Sequence, residues 1–285
     1  MRREKAAQNT ARAGTRGWGP GPALVGILNV TPDSFSDGGD FLDPEAAAAR
    51  AASMLDEGAH VIDVGGESTR PGSDPVSSDE EVRRVVPVIE RLMADRPGAA
   101  ISVDTYRATT AEAAIRAGAS VVNDVTALRG DPAMAALVAE AGCPVVLMHM
   151  KGEPKTMQRE PRYADVVREV RDFLAERAEL AVSAGVKPEN VIVDPGIGFG
   201  KTLDHNLALL RDLDAILDLG FPVLVGASRK RFIGSITGVE EARDRVYGTV
   251  ATSVMAYERG ATLFRVHDVR ANREALAVAA AIRSV

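Results

Sequence analysis

Cysteine, histidine and aromatic residues are scarce in this sequence. It has one cysteine, four histidines and an aromatic content of 4%. The lone Cys143 excludes an internal disulfide and is typical of a reducing compartment, where we expect it to be a small core residue. No His/Cys cluster has the spacing of a zinc or iron site. With so few aromatic rings, the core must be built from Val, Ile, Leu and Ala.

Long apolar runs and an excess of positive charge are also missing. The formal net charge is -6, and no basic patch lies beyond the first residues, which argues against nucleic acid as the main partner. No apolar run approaches the ~20 residues that cross a membrane. Residues 1–22 are Arg-rich and end in Gly and Pro, so we expect a disordered N-terminal tail; a transit peptide is the alternative. We expect a cytoplasmic protein.

Strand-like and helix-like segments alternate along residues 23–285. The predicted strands are 24–28, 61–64, 101–103, 121–122, 145–148, 191–193, 223–225 and 263–266. The predicted helices are 44–57, 79–94, 110–117, 132–141, 163–184, 207–219, 242–258 and 272–282. Eight βα units without a linker predict one domain of the α/β class, a closed (β/α)8 TIM barrel. A doubly wound open sheet, which uses the same alternation, is the alternative.

A polar or charged residue follows every predicted strand. Chemistry in a barrel sits on the loops at the carboxyl ends of the strands, so these residues are the candidate site groups. The strand ends carry Asn29, Glu67, Asp104, Asn123, His149, Asp194, Ser228-Arg229-Lys230 and Arg265-Val266-His267. Two long polar loops, 30–43 and 65–78, follow the first two strands, and we expect them to act as lids that exclude water.

The end of the eighth strand predicts an anion site. Arg265 and His267 are two residues apart, so their side chains point the same way, and Lys230 lies in the preceding loop. Loops after strands seven and eight of barrels often bind phosphate, which arginine grips through paired charge-assisted hydrogen bonds. We therefore expect a phosphate or diphosphate. The alternative is a surface salt bridge from Arg265 to a nearby acid.

Asp104, Asn123 and Asp194 predict a site for a heterocycle. A buried carboxylate accepts two parallel hydrogen bonds from an amino-pyrimidine edge, and a ligand without those donors is rejected strongly. A structural aspartate that caps a loop is the alternative. Asn29 offers an amide oxygen, a hard ligand suited to Mg²⁺ that a diphosphate already holds.

Three histidines and one glycine-rich segment receive no catalytic role. His60 is at the wrong end of its strand and is expected to be structural, and His205 is expected to be solvated. His149 is at the correct end but has no assigned partner. Residues 196–202, GIGFGKT, match neither the Walker nor the dinucleotide pattern, so we expect the glycines to turn the chain tightly beside Asp194.

These motifs together resemble the dihydropteroate synthase family. The matching segments are NVTPDSFSDGG (29–39), DVGGESTRPG (63–72), SVDT (102–105), VNDV (122–125), LMHM (147–150), DPGIGFGK (194–201), GASRK (226–230) and RVHDV (265–269). The resemblance implies condensation of a dihydropterin diphosphate with p-aminobenzoate, giving 7,8-dihydropteroate and diphosphate in folate biosynthesis. It also implies Mg²⁺, a homodimer and sulfonamides as inhibitors.

The resemblance assigns each candidate residue a role. Asp194 and Asn123 would hold the amino-pyrimidine edge of the pterin, Asp104 the opposite part of the ring, and Lys230 the carbonyl side. The diphosphate would be bound by Arg265 and His267, with the intervening Val266 against the substrate and Mg²⁺ bridging to Asn29. The aminobenzoate pocket would be formed by Thr69, Arg70, Pro71, Phe35, Phe199 and Ser228.

Two rival functions share parts of this pattern. A pterin-dependent methyltransferase uses the same barrel and the same pterin fork but needs neither a diphosphate cradle nor these lids. A catalytically silent pterin-binding homologue would keep the fold without the reaction. The anion-binding residues Arg265, His267 and Lys230 argue against the first, and the intact lid motifs argue against the second.

Overall fold

The structure is a computed structural model that describes residues 21–31, 43–68 and 73–285. Most of the predicted tail, residues 1–20, therefore lies outside the described residues. Within these ranges eight parallel strands alternate with helices. The strands are β1 (Ala23–Asn29), β2 (Val61–Gly65), β3 (Ala100–Asp104), β4 (Val121–Asp124), β5 (Val145–Met148), β6 (Val191–Asp194), β7 (Leu224–Val225) and β8 (Leu263–Val266).

The eight strands close into a barrel. Their order is β6-β5-β4-β3-β2-β1-β8-β7, every pairing is parallel, and β1 pairs with both β2 and β8. An isolated parallel bridge between Val193 and Val223 joins β6 to the start of β7. Closure gives each strand two neighbours and leaves no open sheet edge. The predicted TIM barrel is confirmed, and the open-sheet alternative is excluded.

Helices cover the outside of the barrel. They are α1 (Pro44–Asp56), α2 (Ser78–Asp95), α3 (Ala108–Ala117), α4 (Met134–Ala141), α5 (Val166–Ser183), α6 (Leu203–Arg211), α7 (Asp214–Leu217), α8 (Arg231–Thr237), α9 (Val246–Arg259) and α10 (Val269–Arg283). Polar caps start several of them: the side chains of Asp43, Ser77 and Asp165 each accept a backbone N–H of the first turn. None of the described helices is long and apolar enough to span a membrane.

Three helical segments differ from the prediction. The single helix expected at 207–219 is two, α6 and α7, and α6 starts earlier because Thr202 and His205 form a capping box. His205, expected to be solvated, is partly exposed and also caps this helix. The predicted helix 242–258 opens with a 3₁₀ turn, Ala242–Asp244, before α9. The seven-residue α8 was not predicted, because it is too short to show a helical period.

The barrel interior has an apolar floor beneath a polar layer. Seven small or aliphatic side chains fill the floor: Ala23, Val25, Val61, Val146, Ile192, Leu224 and Leu263. Successive side chains of a strand alternate between its faces, so the residue two positions after a floor residue also points inward. On β2, β6 and β8 those next residues are Asp63, Asp194 and Arg265. The strand period therefore places the chemistry directly above the floor.

Candidate active site

A cavity of about 720 Å³ opens at the carboxyl ends of the strands. It is lined in part by Asn29, Phe199, Ser228, Lys230, Arg265 and His267, so six of the predicted site residues share one space. Asp104, Asn123 and Asp194 are buried, with exposed fractions of 8% or less. Asp104 bonds to Arg265 and Asp194 lies beside Gly226, which are two lining residues, and Asn123 is connected to Arg265 through Asp63.

Arg265 is the hub of a buried charge cluster. Its Nε atom donates to Asp63 Oδ2 at 2.6 Å, and a terminal guanidinium nitrogen donates to Asp104 Oδ2 at 2.7 Å. Asn123 Nδ2 donates to the same Asp63 oxygen at 3.0 Å. The alternative of a salt bridge from Arg265 therefore holds in part. The bridge is buried rather than at the surface, and the same side chain still lines the cavity.

Asp63 is a member of the site that the sequence reasoning missed. Its side chain is fully buried, and Oδ1 accepts no hydrogen bond from the described part of the chain. Arg265 is therefore the main compensation for its charge. The signal was available, because Asp63 lies two positions after Val61 on an inward-facing strand period. It was overlooked because only residues after the strand ends were considered.

Burial and charge act against each other on this cluster. Burial raises the pKa of Asp104 to about 7, although the Arg265 charge opposes the rise, and the nearby Asp63 charge adds to it. Burial alone would lower the pKa of Arg265, but Asp63 and Asp104 outweigh it and hold that pKa above its ordinary value. Asp104 therefore titrates near neutral pH while the guanidinium stays charged.

Asp194 faces Arg265 across a glycine. Its Oδ1 atom accepts the Gly196 N–H at 2.7 Å. A Cβ atom at Gly226 would lie 3.7 Å from Asp194 Oδ2 and 3.9 Å from Arg265 Cβ. The two ends of the predicted site are therefore neighbours, and the missing side chain leaves space between them. Burial raises the pKa of Asp194 to about 6, while the hydrogen bond from the Gly196 N–H and the charge of Lys230 act to lower it.

Residues 228–230 are tied to the end of β8. Ser228 Oγ is 2.9 Å from His267 Nδ1 and accepts the His267 N–H at 3.1 Å, which fixes the imidazole. Arg229, with a left-handed φ of 58°, donates two hydrogen bonds to the Asp268 carboxylate at 2.6 and 3.0 Å. Lys230 is thereby directed into the cavity, where its Nζ atom lies 3.9 Å from the centre of the Phe199 ring.

The predicted lids are described only at their bases. Phe35, Thr69, Arg70 and Pro71 lie outside the described residues. The second loop is anchored by Arg107. One guanidinium nitrogen donates to Glu67 Oε2 and to the Val76 carbonyl, both at 2.7 Å, and the other donates to Glu81 Oε2 at 2.8 Å.

This anchor holds the two ends of the loop together. Val76 N–H donates to Glu67 Oε2 at 3.0 Å, so residues 67 and 76 are joined directly as well as through Arg107. Glu67 and Glu81 are both largely buried, and a buried ion pair is strongly destabilised when one partner is removed. The base of the loop therefore has a fixed position on the barrel.

The donor set fits Mg²⁺ only when a phosphate supplies further ligands. Among the described residues there is no group of three His, Cys, Asp or Glu side chains arranged to hold a metal. Asn29 contributes an amide oxygen to the cavity wall that also carries Arg265 and His267. Mg²⁺ commonly binds through one or two protein oxygens plus substrate phosphates, so Asn29 is a suitable ligand.

The charge cluster predicts the effect of Asp63→Asn. Removing the Asp63 charge eliminates a repulsion that raises the pKa of Asp104 and frees Arg265 to pair with Asp104, so the Asp104 pKa should move down from about 7. Carboxyl carbon chemical shifts followed by NMR against pH measure this. Asp95→Asn, at a half-exposed helical site, is the matched control and should leave the midpoint in place. An unmoved Asp104 midpoint in Asp63→Asn would refute the coupling.

Comparison with known proteins places this geometry in a family. A family model described as "Pterin binding enzyme" matches residues 25–267. Dihydropteroate synthase from Synechocystis is 46% identical over 267 residues, which cover 93% of this chain and 91% of that protein. A structure of Xanthomonas albilineans dihydropteroate synthase with 4-aminobenzoic acid has a TM-score of 0.87 and 49% identity, covering 93% of this chain and 94% of that one.

A second structure of the Xanthomonas albilineans enzyme contains 7,8-dihydropteroate. It matches with a TM-score of 0.84 and 47% identity, again covering 93% of this chain and 94% of that one. The match includes the strand ends that form the charge cluster, since the family model spans them all. The chain belongs to the dihydropteroate synthase family of pterin-binding enzymes.

Proposed function

We propose that the chain condenses (7,8-dihydropterin-6-yl)methyl diphosphate with p-aminobenzoate, giving 7,8-dihydropteroate and diphosphate in folate biosynthesis. The observation that carries this proposal is the pairing of Asp194 and Arg265 on either side of Gly226. A carboxylate that accepts a flat amino-heterocycle therefore lies beside a guanidinium suited to an anionic leaving group. A pterin-dependent methyltransferase has no use for that second feature.

The buried acids bind the pterin. Asp194 Oδ2, on the side facing Gly226, accepts from the amino-pyrimidine edge, and Asn123 adds its amide oxygen while Asp63 holds its amide nitrogen. Asp104 contacts the opposite part of the ring system, and Lys230 donates to the carbonyl side. A heterocycle without paired N–H donors would leave Asp194 buried and unpaired, so the site selects against it.

The cations bind the diphosphate. Arg265 directs two of its nitrogens to Asp63 and Asp104, which orients the guanidinium plane, and Val266 lies next to it on the chain. His267 is held by Ser228 on the same side of the cavity. Asn29 is the proposed ligand of Mg²⁺, which when bound would neutralise charge on the departing diphosphate.

The reaction needs positioned charge more than a proton-transfer group. The C–O bond at the pterin methylene breaks, and its electron pair leaves with the diphosphate, where Arg265, His267 and Lys230 stabilise the developing charge. The neutral aryl amine then forms the C–N bond with its lone pair and afterwards loses a proton. No general base is required for the attack. Each contact to the leaving group is worth about 3 kcal/mol, or ~10²-fold in rate.

The aminobenzoate binds beside the pterin methylene. Phe199 and Ser228, which line the cavity, form the described wall of this pocket. Thr69, Arg70, Pro71 and Phe35 are proposed to complete it from the two lids, and the Arg107 anchor gives the second lid a fixed base. Closure of both lids would exclude water from a carbocation-like centre.

The reaction itself is the test of this proposal. The protein incubated with dihydropterin diphosphate, p-aminobenzoate and Mg²⁺ should release diphosphate and form dihydropteroate, and a chelator should suppress both. Arg265→Lys keeps the charge but loses the forked contact, so kcat should fall by about 10²-fold. Arg83→Lys, at an exposed helical site, is the control. Folded protein that binds the pterin but releases no diphosphate would favour the silent homologue.

Pterin binding should depend on the ionisation of Asp194. The carboxylate is the form that accepts from the pterin edge, and burial raises its pKa to about 6. Binding is therefore full above this value and is lost as the pH falls through it. Pterin fluorescence titrations from pH 5 to 8 measure the dissociation constant. Asp194→Asn should bind weakly at every pH; pterin affinity equal to that of the unmodified chain above pH 6 would contradict the assignment.

We also propose a homodimer, acting in the cytoplasm. Large apolar side chains are exposed on neighbouring helices, with Tyr247 and Met255 two turns apart on α9 and Val278 and Ile282 one turn apart on α10. Exposed fractions run from 61% for Val278 to 85% for Tyr247. Several large exposed apolar side chains on two neighbouring helices are typical of a homodimer interface. The single buried cysteine suits a reducing compartment.

The apolar surface of α9 and α10 predicts the oligomeric state. Sedimentation should show a dimer for the unmodified chain and a monomer for Met255→Glu, because a buried unpaired carboxylate is costly. Leu180→Glu, on the exposed side of α5, is the matched control and should stay dimeric. A dimer that survives Met255→Glu would place the interface elsewhere.

A further inference from the structure

Lys201 is a buried lysine that the proposed reaction leaves without a role. Its exposed fraction is 3%, although it closes the glycine-rich segment after β6. The Nζ atom lies 2.9 Å from His149 Nδ1, 3.0 Å from the Phe199 carbonyl and 3.3 Å from the His149 carbonyl. An ammonium has three N–H donors, and here three acceptors surround it.

The glycine turn presses against the segment that carries His149. A Cβ atom at Gly196, where φ is +66°, would lie 1.9 Å from the His149 carbonyl oxygen. A Cβ atom at Gly200, where φ is +64°, would lie 2.2 Å from the Lys151 carbonyl oxygen. These approaches require glycine, as the sequence predicted for a tight turn.

Three successive carbonyls of the turn accept hydrogen bonds from side chains. Gln158 donates to the Gly198 carbonyl at 2.6 Å, and Tyr163 donates to the Gly200 carbonyl at 2.9 Å. Lys201 holds the middle one, that of Phe199, and is the charged donor of the three. The Phe199 ring is thereby fixed at the cavity wall, under Lys230 Nζ.

The hydrogen bonds that join Lys201 to His149 and to the Phe199 carbonyl form a clasp, and His149 takes part in it in its neutral form. Burial, with the Lys201 charge, lowers the pKa of His149 to about 2, so Nδ1 accepts from the ammonium and the ring proton lies on Nε2. Burial also lowers the pKa of Lys201 to about 7, while the charge of Asp194 on β6 acts to raise it. The other cations near it are Lys151 after β5 and Lys230 after β7.

We infer that Lys201, through its bonds to His149 and Phe199, is a positioning residue that sets the Phe199 wall of the aminobenzoate pocket. This inference rests on the proposed function, since it assigns Phe199 to that substrate. Lys201 lines the base of the cavity, but the hydrogen bonds of its Nζ atom go to His149 and to the Phe199 carbonyl. Replacing the Lys201 side chain should therefore weaken aminobenzoate binding much more than pterin binding, because pterin binding depends on Asp194 and Arg265.

The first test is Lys201→Met, which keeps the length of the side chain and removes its charge and donors. With saturating dihydropterin diphosphate, KM for p-aminobenzoate should rise about 10-fold, while pterin affinity changes less than about 3-fold. Lys187→Met, at an exposed site, is the charge-matched control and should behave as the unmodified chain. If the unmodified chain turns over and Lys201→Met has the same KM, the inference is overturned and the proposed function stands.

A double-mutant cycle with Phe199→Leu separates positioning from general damage. If Lys201 acts through the ring, Lys201→Met should raise KM for aminobenzoate far less in the Phe199→Leu background than alone. Effects that multiply fully would mean that Lys201 acts by another route. If no variant or unmodified chain forms dihydropteroate, it is the proposed function that fails.

A third test needs no substitution at Lys201. Because the ammonium deprotonates as the pH rises through about 7, the clasp is complete below that value and weakens above it. KM for aminobenzoate of the unmodified chain should rise between pH 7 and 9, and the rise should flatten in Phe199→Leu. A rise in KM that is as large in Phe199→Leu as in the unmodified chain would overturn the inference even if Lys201→Met does not fold, because the effect would then not pass through the Phe199 ring.

Discussion

The contact between Arg265 and two buried aspartates is the interaction on which the site depends. Removing a guanidinium and two carboxylates from water is costly, and burial raises the pKa of Asp104 to about 7 in spite of the pairing. Three apolar side chains of equal volume would be buried at a lower free-energy cost, but they could not bind a polar substrate. The cluster orients Arg265 and, through Asp63, connects it to Asn123 on the far side of the floor. The proposed pterin end and the proposed diphosphate end of the site are therefore joined by hydrogen bonds.

The barrel stabilises this cluster by surrounding it with further charges of both signs. Asp194 contributes a third buried carboxylate, and Lys201 and Lys230 contribute cations on the neighbouring loops. Backbone groups supply further hydrogen bonds to these charges: the Gly196 N–H donates to Asp194, and the Phe199 carbonyl accepts from Lys201. The result is a set of buried, hydrogen-bonded charges of both signs in a low-dielectric setting, which is the arrangement that stabilises charge separation without reorganisation.

The hydrophobic pattern of the sequence predicted where most strands and helices lie, but it did not predict which side chains contact each other. The alternation of apolar runs predicted all eight strands, and the inward period of β2 also pointed to Asp63, although the prediction considered only the strand ends. The prediction of a single helix at 207–219 was wrong because the spacing of apolar residues continues across the break between α6 and α7. His149 had no assigned partner because Lys201 lies 52 residues further along the chain. Lys201 was set aside because its motif was tested only as a phosphate loop.

The sequence by itself determined the polar strand ends, the glycines that permit close approach and the family motifs, because these depend on local period and local backbone freedom. Only the tertiary structure decided which groups are neighbours and how they titrate. The shift of Asp104 toward neutral pH and that of Lys201 below its ordinary range both arise from burial by other strands and loops. Those neighbours come from distant parts of the chain, and only closure of the barrel brings them within hydrogen-bonding distance.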